Sequence, residues 1–240
     1  MEFMEVMGLL AFMSTMGLYG TSLPLFPMLL SRRRPDLVQF SSLALRLLNN
    51  AFSYHYALLA AVHISALSNG LGIILHTLLC LAYLYVAPSK SAPVLFFLLS
   101  VGFYFGVAAL YGDDAVSIGL TSSSVRTLAY ASPALTVARA ARTGNVDALS
   151  TSMSCGALVC FVMWYIYGSL IDDPFVKLPN VPGIVVQLTA LFLLWRDEQK
   201  SVEQTKREEE EDETEVEEET EMEDETDLDI DNNIADKKTN

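Results

Sequence analysis

Acidic side chains are almost missing from the apolar part of this sequence. Residues 197–240 hold 21 of the 29 aspartates and glutamates and 5 of the 15 lysines and arginines, which leaves 8 acids and 10 bases for residues 1–196. The net charge of −14 therefore describes the end of the chain and not its body. That end has few aliphatic residues and no aromatic ones, so we predict a disordered acidic tail.

Other signatures are missing as well. The three cysteines, Cys80, Cys155 and Cys160, lie in apolar runs without disulfide or metal-ligand spacing. The sequence shows no nucleophile–base pair, phosphate loop or zinc motif. We therefore predict no enzyme, no catalytic residue, no metal site, no cofactor and no nucleic-acid partner. The N-terminus carries Glu2 and Glu5 but no basic residue, which favours a retained helix over a signal peptide.

The body consists of continuous apolar runs of about 20 residues, the length that spans a bilayer. Because these runs do not alternate between polar and apolar residues, they favour helices over a strand barrel. We predict seven spans at about residues 4–30, 38–57, 66–87, 92–112, 116–140, 151–170 and 179–195. The predicted fold class is an all-α membrane protein.

The basic residues mark one side of the membrane. The connections after spans 1, 3 and 5 and the segment after span 7 are basic, whereas those after spans 2, 4 and 6 hold four aspartates and Lys177 alone. The basic residues are Arg32, Arg33, Arg34, Lys90, Arg139, Arg142, Arg196 and Lys200. The positive-inside rule then predicts an N-terminus outside and a C-terminus in the cytoplasm.

Two parts of the chain repeat each other, and their matching positions differ by 111 in the numbering, which we call the repeat offset. NGLGIILH at 69–76 matches NVPGIVVQ at 180–187, and YHY at 54–56 matches YIY at 165–167. The repeat maps onto spans 1–3 and 5–7. Because each repeat has three spans, a direct fusion would invert the second repeat in the membrane, and span 4, a connector, restores its orientation. We predict two parallel three-helix repeats about an axis along the membrane normal. The predicted units are a first repeat (1–88), a connector helix (89–113), a second repeat (114–196) and the tail (197–240).

These segments resemble the SWEET family of sugar facilitators, which are built as three helices, a connector helix and three helices. The resemblance rests on YASPALTVARAARTGNVDALS at 130–150, WYIYG at 164–168, DPFVKLPN at 173–180 and SNGLGIILHTLLCLAYLYVAP at 68–88. It implies facilitative (uniport) transport of mono- or disaccharides by alternating access, with a sugar and the lipid bilayer as partners. The missing carboxylates agree with uniport, since proton-coupled carriers usually use buried carboxylates or histidines. If transport were coupled to protons instead, His76 would be the residue that carries them.

Two other functions stay open. One is transport of an anionic sugar or another small solute held by Arg126. The other is a non-transporting membrane scaffold or cargo receptor that works through its acidic tail. A homo-oligomer also stays open, because family members often assemble.

The substrate-binding site is predicted from polar residues at repeat-related positions. Asn69 and Asn180 each open an apolar run, and an amide offers donors and an acceptor to sugar hydroxyls. The alternative is that each asparagine caps its helix. Trp164 can lay its ring against a sugar, or it can be an interface tryptophan like Trp195. Its counterpart is Ser53, so the predicted pocket is lopsided.

The family resemblance adds three further residues to this site. Asn49 and Cys160, also separated by the repeat offset, resemble specificity positions, against the alternative of plain packing. Arg126, near the middle of span 5, resembles a pocket-lining position. Arg46 is nearer the cytoplasm, where it can simply snorkel to the membrane surface.

Two prolines are predicted to be hinges. Pro24 and Pro133 match two of the four prolines of the family, and each kinks its helix. The alternative is a static kink. The other two family positions lack proline, with Ser42 in span 2 and Ser150 or Ser152 in span 6.

The C-terminus predicts where in the cell the protein resides. Lys237 and Lys238 lie at the fourth and third positions from the end and resemble a dilysine retrieval signal, which implies a coat-protein partner and the endoplasmic reticulum or Golgi. The alternatives are a chance pair of lysines and the plasma membrane, the family default.

Overall fold

The computed structural model of this protein describes residues 3–31 and 38–207. Within these ranges the chain forms helices and no strands. The helices are α1 Phe3–Gly20, α2 Leu25–Leu30, α3 Phe40–Leu59, α4 His63–Val86, α5 Ser91–Tyr111, α6 Ala115–Ala129, α7 Ala131–Thr143, α8 Thr151–Leu170, α9 Pro174–Lys177 and α10, residues 180–193.

The helices reproduce the seven predicted spans. Spans 1 and 5 are each broken into two helices, α1–α2 and α6–α7, and span 7 is preceded by the short α9. Five segments are long and apolar enough to cross a membrane: Phe3–Leu30, His63–Val86, Ser91–Tyr111, Thr151–Leu170 and Pro174–Arg207. The two spans outside that set, α3 and α6–α7, are the ones with many polar side chains.

The breaks in spans 1 and 5 lie beside the two predicted prolines. A turn over residues 21–24 separates α1 from α2, and Pro24 immediately precedes α2. Tyr130 separates α6 from α7, and Pro133 is the third residue of α7. Proline lacks a backbone N–H and is tolerated in the first turn of a helix, where that N–H would have no partner. The prolines therefore begin the second helix of each broken span.

Side-chain caps define the starts of several helices. The Asp114 carboxylate accepts hydrogen bonds from the Val116 N–H at 3.0 Å and the Ser117 hydroxyl at 2.5 Å at the start of α6. The Ser117 and Val116 donors lower the pKa of the Asp114 carboxyl below its ordinary value. Asp173 caps α9 in the same way, by accepting from two backbone N–H groups.

The same turn ends the second helix of each repeat. Ala61, after α3, and Asp172, after α8, are the two non-glycine residues with positive φ in the described ranges, at 55° and 52°. They are separated by the repeat offset. A residue with left-handed geometry commonly follows the C-terminus of a helix, where the turn of the chain satisfies the last carbonyls; glycine is the usual residue there, and here it is alanine and aspartate. The repeat is thus reproduced in backbone geometry.

The repeats pack against each other through equivalent close contacts. A Cβ atom placed on Gly8 of α1 would lie 2.9 Å from the Tyr167 ring of α8, and one on Gly119 of α6 would lie 2.8 Å from the Tyr56 ring of α3. The two glycines are related by the repeat offset, and so are the two tyrosines. The first helix of each repeat therefore packs on the second helix of the other.

The apolar clusters distinguish the two ends of the bundle. At one end, which we call the closed end, a single cluster joins both repeats, and its buried members are Ala11, Tyr56, Ile118, Cys160, Trp164, Tyr167 and Val176. At the other, which we call the open end, each repeat has its own cluster. These are Leu29, Phe40, Leu43, Ala44, Leu79, Cys80 and Ala82 in the first repeat, and Val137, Ala140, Ala190 and Leu193 in the second.

The connector helix α5 packs on the outside of the first repeat, where Phe96 and Phe97 lie against its open-end cluster and Tyr104 packs on Phe52. None of its side chains is buried, although it is the most apolar of the candidate spans. The apolar side chains on its exposed face are suited to contact with lipid. That span 4 belongs to neither repeat stays a prediction.

Residues 194–240 form a second unit, of which 194–207 are described and are helical. We predicted disorder from residue 197 onwards, so the helical segment extends beyond that boundary. Lys200, Glu203 and Arg207 provide alternating charges at spacings of three and four residues, which stabilise a helix. The rest of the tail, including Lys237 and Lys238, lies outside the described residues, as do the three arginines at 32–34.

Candidate functional site

One face of α3 carries most of the polar groups inside the bundle. Arg46, Asn49, Asn50 and Ser53 follow a helical spacing of three, four and seven residues, so they project from the same side of the helix. Asn50 and Ser53 are buried, Asn49 is half-buried and Arg46 is exposed. A polar face of this kind is stable in a membrane only against other polar groups or water.

Arg126 of α6 binds to this face. Its Nη2 donates to the Ser53 hydroxyl at 2.8 Å, and its Nε donates to the Asn49 Oδ1 at 3.3 Å. The Ser53 hydroxyl also lies 2.9 Å from the hydroxyl of Ser122, which is buried one turn earlier on α6. Three predicted site residues, Asn49, Ser53 and Arg126, are therefore in direct contact. Neutral oxygen atoms, and no carboxylate, receive these guanidinium hydrogen bonds in the described residues.

Thr15 of α1 forms the corresponding cluster on the other side. The Trp164 indole N–H donates to the Thr15 hydroxyl at 2.7 Å, and the Cys160 Sγ lies 3.5 Å from the same oxygen. All three side chains are buried, and Trp164 is only 8% exposed. Two more predicted site residues, Trp164 and Cys160, are thus brought together. The indole N–H is already hydrogen-bonded inside the protein.

The two clusters are equivalent by the repeat. Thr15 and Arg126 are separated by the repeat offset, and so are their partners, Cys160 with Asn49 and Trp164 with Ser53. In each cluster the first helix of one repeat supplies a side chain that bonds to two side chains of the other repeat's second helix. The clusters differ in chemistry, since one is neutral and the other contains a cation.

A second equivalent pair, Tyr19 and Tyr130, lies beside these clusters. Tyr19 is near the end of α1 and Tyr130 separates α6 from α7, and the repeat offset again relates them. Tyr19 donates to the Oδ1 of Asn50 on the polar face of α3 at 3.4 Å, and the Tyr130 ring packs against Phe161, next to Cys160 on α8. We call the space between these two tyrosines and the two clusters the central cavity. Its position between the breaks of spans 1 and 5 places it toward the open end.

His76 closes one side of this region. Its Nδ1 lies 3.1 Å from the Asn50 Nδ2 and 2.8 Å from the Gly72 carbonyl oxygen, while Tyr19 donates to the Asn50 Oδ1 at 3.4 Å. His76 is 3% exposed. All of these residues belong to the first repeat, so this network links α1, α3 and α4 within one unit.

The two predicted amides repeat one geometry in separate places. The Asn69 Nδ2 donates to the Ser65 carbonyl at 2.8 Å, and the Asn180 Nδ2 donates to the Val176 carbonyl at 2.7 Å. Each bond reaches back four residues, and both asparagines are buried. No hydrogen bond joins the two amides to each other or to the Arg126 cluster among the described residues. Asn69 is the seventh residue of α4, so it is no N-cap, contrary to the alternative interpretation.

The closed end is joined by a polar contact between the repeats. The Tyr56 hydroxyl donates to the Asp173 Oδ2 at 2.7 Å, and both side chains are buried. The other carboxylate oxygen accepts from the backbone N–H groups of Phe175 and Val176. Asp173 thus connects α3 of the first repeat to the start of α9 in the second. The sequence placed Asp173 only in a connection and did not predict this role.

Comparison with known proteins identifies the family. The sequence profile of the family described as "Sugar efflux transporter for intercellular exchange" matches residues 5–91 and 116–200. The chain belongs to this family. Because it is a family of transporters, the prediction that the protein is not an enzyme is confirmed, as is the resemblance to SWEET proteins.

Individual SWEET proteins are similar over most of the chain. The mouse sugar transporter SWEET1 is 29% identical over 186 residues, which cover 75% of this chain and 84% of that protein. The rice bidirectional sugar transporter SWEET15 is 27% identical over 208 residues, covering 81% of this chain and 65% of that protein. A solved eukaryotic SWEET transporter superposes with a TM-score of 0.74 at 20% identity, over 82% of this chain and 97% of that chain. The predicted seven-helix fold is confirmed.

The site prediction missed residues that the repeat could have revealed. Thr15, Tyr19 and Tyr130 all have a partner at the repeat offset, but the Thr15–Arg126 pair differs in residue type and was not recognised. Arg46, for which we proposed snorkelling to the surface, is exposed and lies on the polar face of α3, one turn before the Asn49 that binds Arg126.

Proposed function

We propose that this protein carries a sugar across the membrane by facilitated diffusion, through alternating access. The observation that supports this proposal is the contrast between the two ends of the bundle. One apolar cluster and the Tyr56–Asp173 bond join the repeats at the closed end, whereas separate clusters hold each repeat at the open end. Polar side chains line the space between them. A site reached from one side only is what a carrier requires in one of its two states.

The exchange between states follows from this packing. If the repeats rock about the central contacts, the closed-end cluster separates while the open ends approach each other. Pro24 and Pro133 lie at the breaks of the two spans that would bend. We propose them as hinges, with Asn49, Ser53, Arg126, Thr15, Cys160 and Trp164 around the substrate, and with Asn69 and Asn180 as further substrate-binding amides.

The orientation proposed for this carrier has the open end in the cytoplasm. Arg142, in the last turn of α7, lies beyond the second-repeat cluster of that end, and Lys90 follows α4. Asp113 follows α5 and Asp172 follows α8, both on the side of the closed end. Basic connections face the cytoplasm in membrane proteins. The N-terminus is then outside, and the proposed default location is the plasma membrane.

Flux measurements on purified protein in lipid vesicles test this function. We expect radiolabelled sugar to equilibrate across the membrane without accumulating, and a protonophore to leave the plateau unchanged, because the helices α3, α4, α6 and α8 contain no acidic side chain. Accumulation that the protonophore abolishes would contradict uniport and would direct attention to His76. A protein lacking residues 208–240 should keep its flux, whereas a scaffold that works through its tail would lose its function.

A further inference from the structure

The charges around the central cavity do not balance. Arg46 and Arg126 approach the cavity from α3 and α6, and a guanidinium stays protonated in proteins. Glu5 is the only acidic side chain in helices α1–α8, and it lies fourteen residues before Tyr19 on α1, roughly 20 Å along the helix. Asp173 is at the closed end, where Tyr56 and two backbone N–H groups occupy its oxygens.

Arg126 has N–H donors that its protein partners do not use, and Arg46 is exposed. Arg126 uses Nη2 and Nε on Ser53 and Asn49, both neutral acceptors, while its half-buried side chain retains other N–H groups. Arg46 is exposed although it lies on the polar inner face of α3. An arginine inside a membrane bundle is costly unless it faces water or an anion. The geometry therefore provides two cations in a space that is accessible to solute.

The flanking groups suit a sugar that carries a negative charge. The Tyr19 hydroxyl, which donates to the Asn50 Oδ1, keeps its oxygen as an acceptor, and the Tyr130 hydroxyl can donate and accept. Arginine binds carboxylate and phosphate oxygens with paired hydrogen bonds, which it cannot form with a single hydroxyl. A neutral sugar would leave the positive potential of the cavity uncompensated, and a negative group would compensate it.

Resting on the sugar-transport function proposed above, we propose that the preferred substrate is an anionic monosaccharide derivative, with its carboxylate or phosphate held between Arg46 and Arg126. The tyrosines and the Asn49–Ser53 face then contact the sugar hydroxyls. The cluster that contains Arg126, rather than the neutral Thr15 cluster, determines which class of sugar is selected.

Reconstituted full-length protein tests this inference, with the membrane potential clamped to zero. The probes are radiolabelled D-glucose, D-glucuronate and D-glucose 6-phosphate. We expect one or both anions to enter faster than glucose, and the comparison of the two separates carboxylate from phosphate recognition. In Arg46→Gln and in Arg126→Gln, the ratio of anion flux to glucose flux should fall by at least about tenfold, as expected on losing a charge-assisted hydrogen bond.

Arg142→Gln is the matched control, since it removes the same charge from an exposed position at the end of α7. Its flux ratio should equal that of the wild type. A measurement on the wild type alone avoids dependence on mutant folding: either anion should inhibit glucose entry at concentrations about tenfold lower than unlabelled D-galactose does.

Two outcomes overturn the inference in different ways. Robust glucose flux with no entry of, or inhibition by, either anion would refute the anionic substrate and leave sugar transport intact. Absence of flux for all three sugars, together with absence of inhibition, would refute the sugar-transport function and this inference with it.

Discussion

Thr15 and Arg126 occupy the same position in the two halves of the chain and bond to the same two positions of the opposite half. Thr15 contacts Cys160 and Trp164, and Arg126 contacts Asn49 and Ser53. A duplicated unit explains the shared geometry, while the different side chains make the cavity asymmetric. Trp164 and Thr15 stand on one side where Ser53 and Arg126 stand on the other, so the charge differs between the two clusters.

Removing the Thr15 hydroxyl should destabilise the packing between the repeats. In Thr15→Val the indole N–H of Trp164, buried among apolar residues, loses its acceptor, which costs about 1–3 kcal/mol. We expect a lower unfolding temperature in detergent and altered tryptophan fluorescence. Thr127→Val is the control, because the Thr127 hydroxyl is exposed and bonds only to the Ser123 carbonyl of its own helix. Equal unfolding temperatures for the two variants would show that the Trp164 bond contributes nothing to stability.

The equivalent glycines should be equally intolerant of a methyl group. In Gly8→Ala the new Cβ would lie 2.6 Å from the Ile64 Cδ1, and in Gly119→Ala it would lie 2.8 Å from the Phe175 ring. Overpacking of this kind costs typically about 1–3 kcal/mol. Gly102→Ala on α5 meets no atom within 4 Å and is the control. Thermal unfolding of the three proteins measures the difference, and normal stability of Gly8→Ala would mean that α1 and α8 are less closely packed than the structure has them.

The sequence predicted the fold far better than the site. Continuous apolar runs and one constant repeat offset were enough for seven spans, a connector and two repeats, because lipid leaves the backbone few choices. The break beside Tyr130 was expected only as a kink at Pro133. The contacts of Arg126 required knowing which helix of one repeat packs on which helix of the other, and a spacing along the chain carries no such information.

Residue type also concealed part of the site. Asn69 and Asn180 were prominent because both copies are asparagine, yet their Nδ2 atoms bond to carbonyls only four residues earlier in the chain. Arg46 has Ala157 as its counterpart, so the repeat gave no indication of its role. Asp173 lies in a connection beside Pro174, and the sequence analysis gave it no role of its own. Its bond to Tyr56 depends on the distance between two segments that are far apart in the sequence.

The Tyr56 hydroxyl should control access at the closed end. Tyr56→Phe keeps the ring packed against Gly119 and removes only the bond to Asp173, so the closed state loses about 1 kcal/mol or more relative to the open one. We expect faster labelling of a cysteine introduced at position 60, half-buried beside the closed-end cluster, by an impermeant thiol reagent. Cys155, the exposed native thiol, is replaced by serine beforehand.

Tyr85→Phe is the matched control for this change, because its ring is 71% exposed and lies at the opposite end of α4 from the closed-end cluster. In the Tyr85→Phe protein, the cysteine at position 60 should be labelled at the wild-type rate. If Tyr56→Phe also labels at the wild-type rate, the bond to Asp173 does not hold the closed end shut, and the apolar cluster alone accounts for its closure.

The paired amides give the last prediction. The Asn69 Nδ2 donates to the carbonyl and the hydroxyl of Ser65, and the Asn180 Nδ2 donates to the Val176 carbonyl. Both asparagines can therefore offer a sugar hydroxyl the Oδ1 acceptor, and Asn180 can also offer its second N–H. Asn69→Ala and Asn180→Ala should each abolish flux of every transported sugar, since an unpaired sugar hydroxyl costs about 1–3 kcal/mol per lost partner. Folded protein should be retained, because each lost bond reaches back only four residues along the chain. Asn145→Ala, in the exposed loop after α7, is the control for expression and flux. Near-normal flux in a folded Asn69→Ala or Asn180→Ala protein would assign that amide to helix stabilisation and would leave the Arg126 and Thr15 clusters as the substrate site.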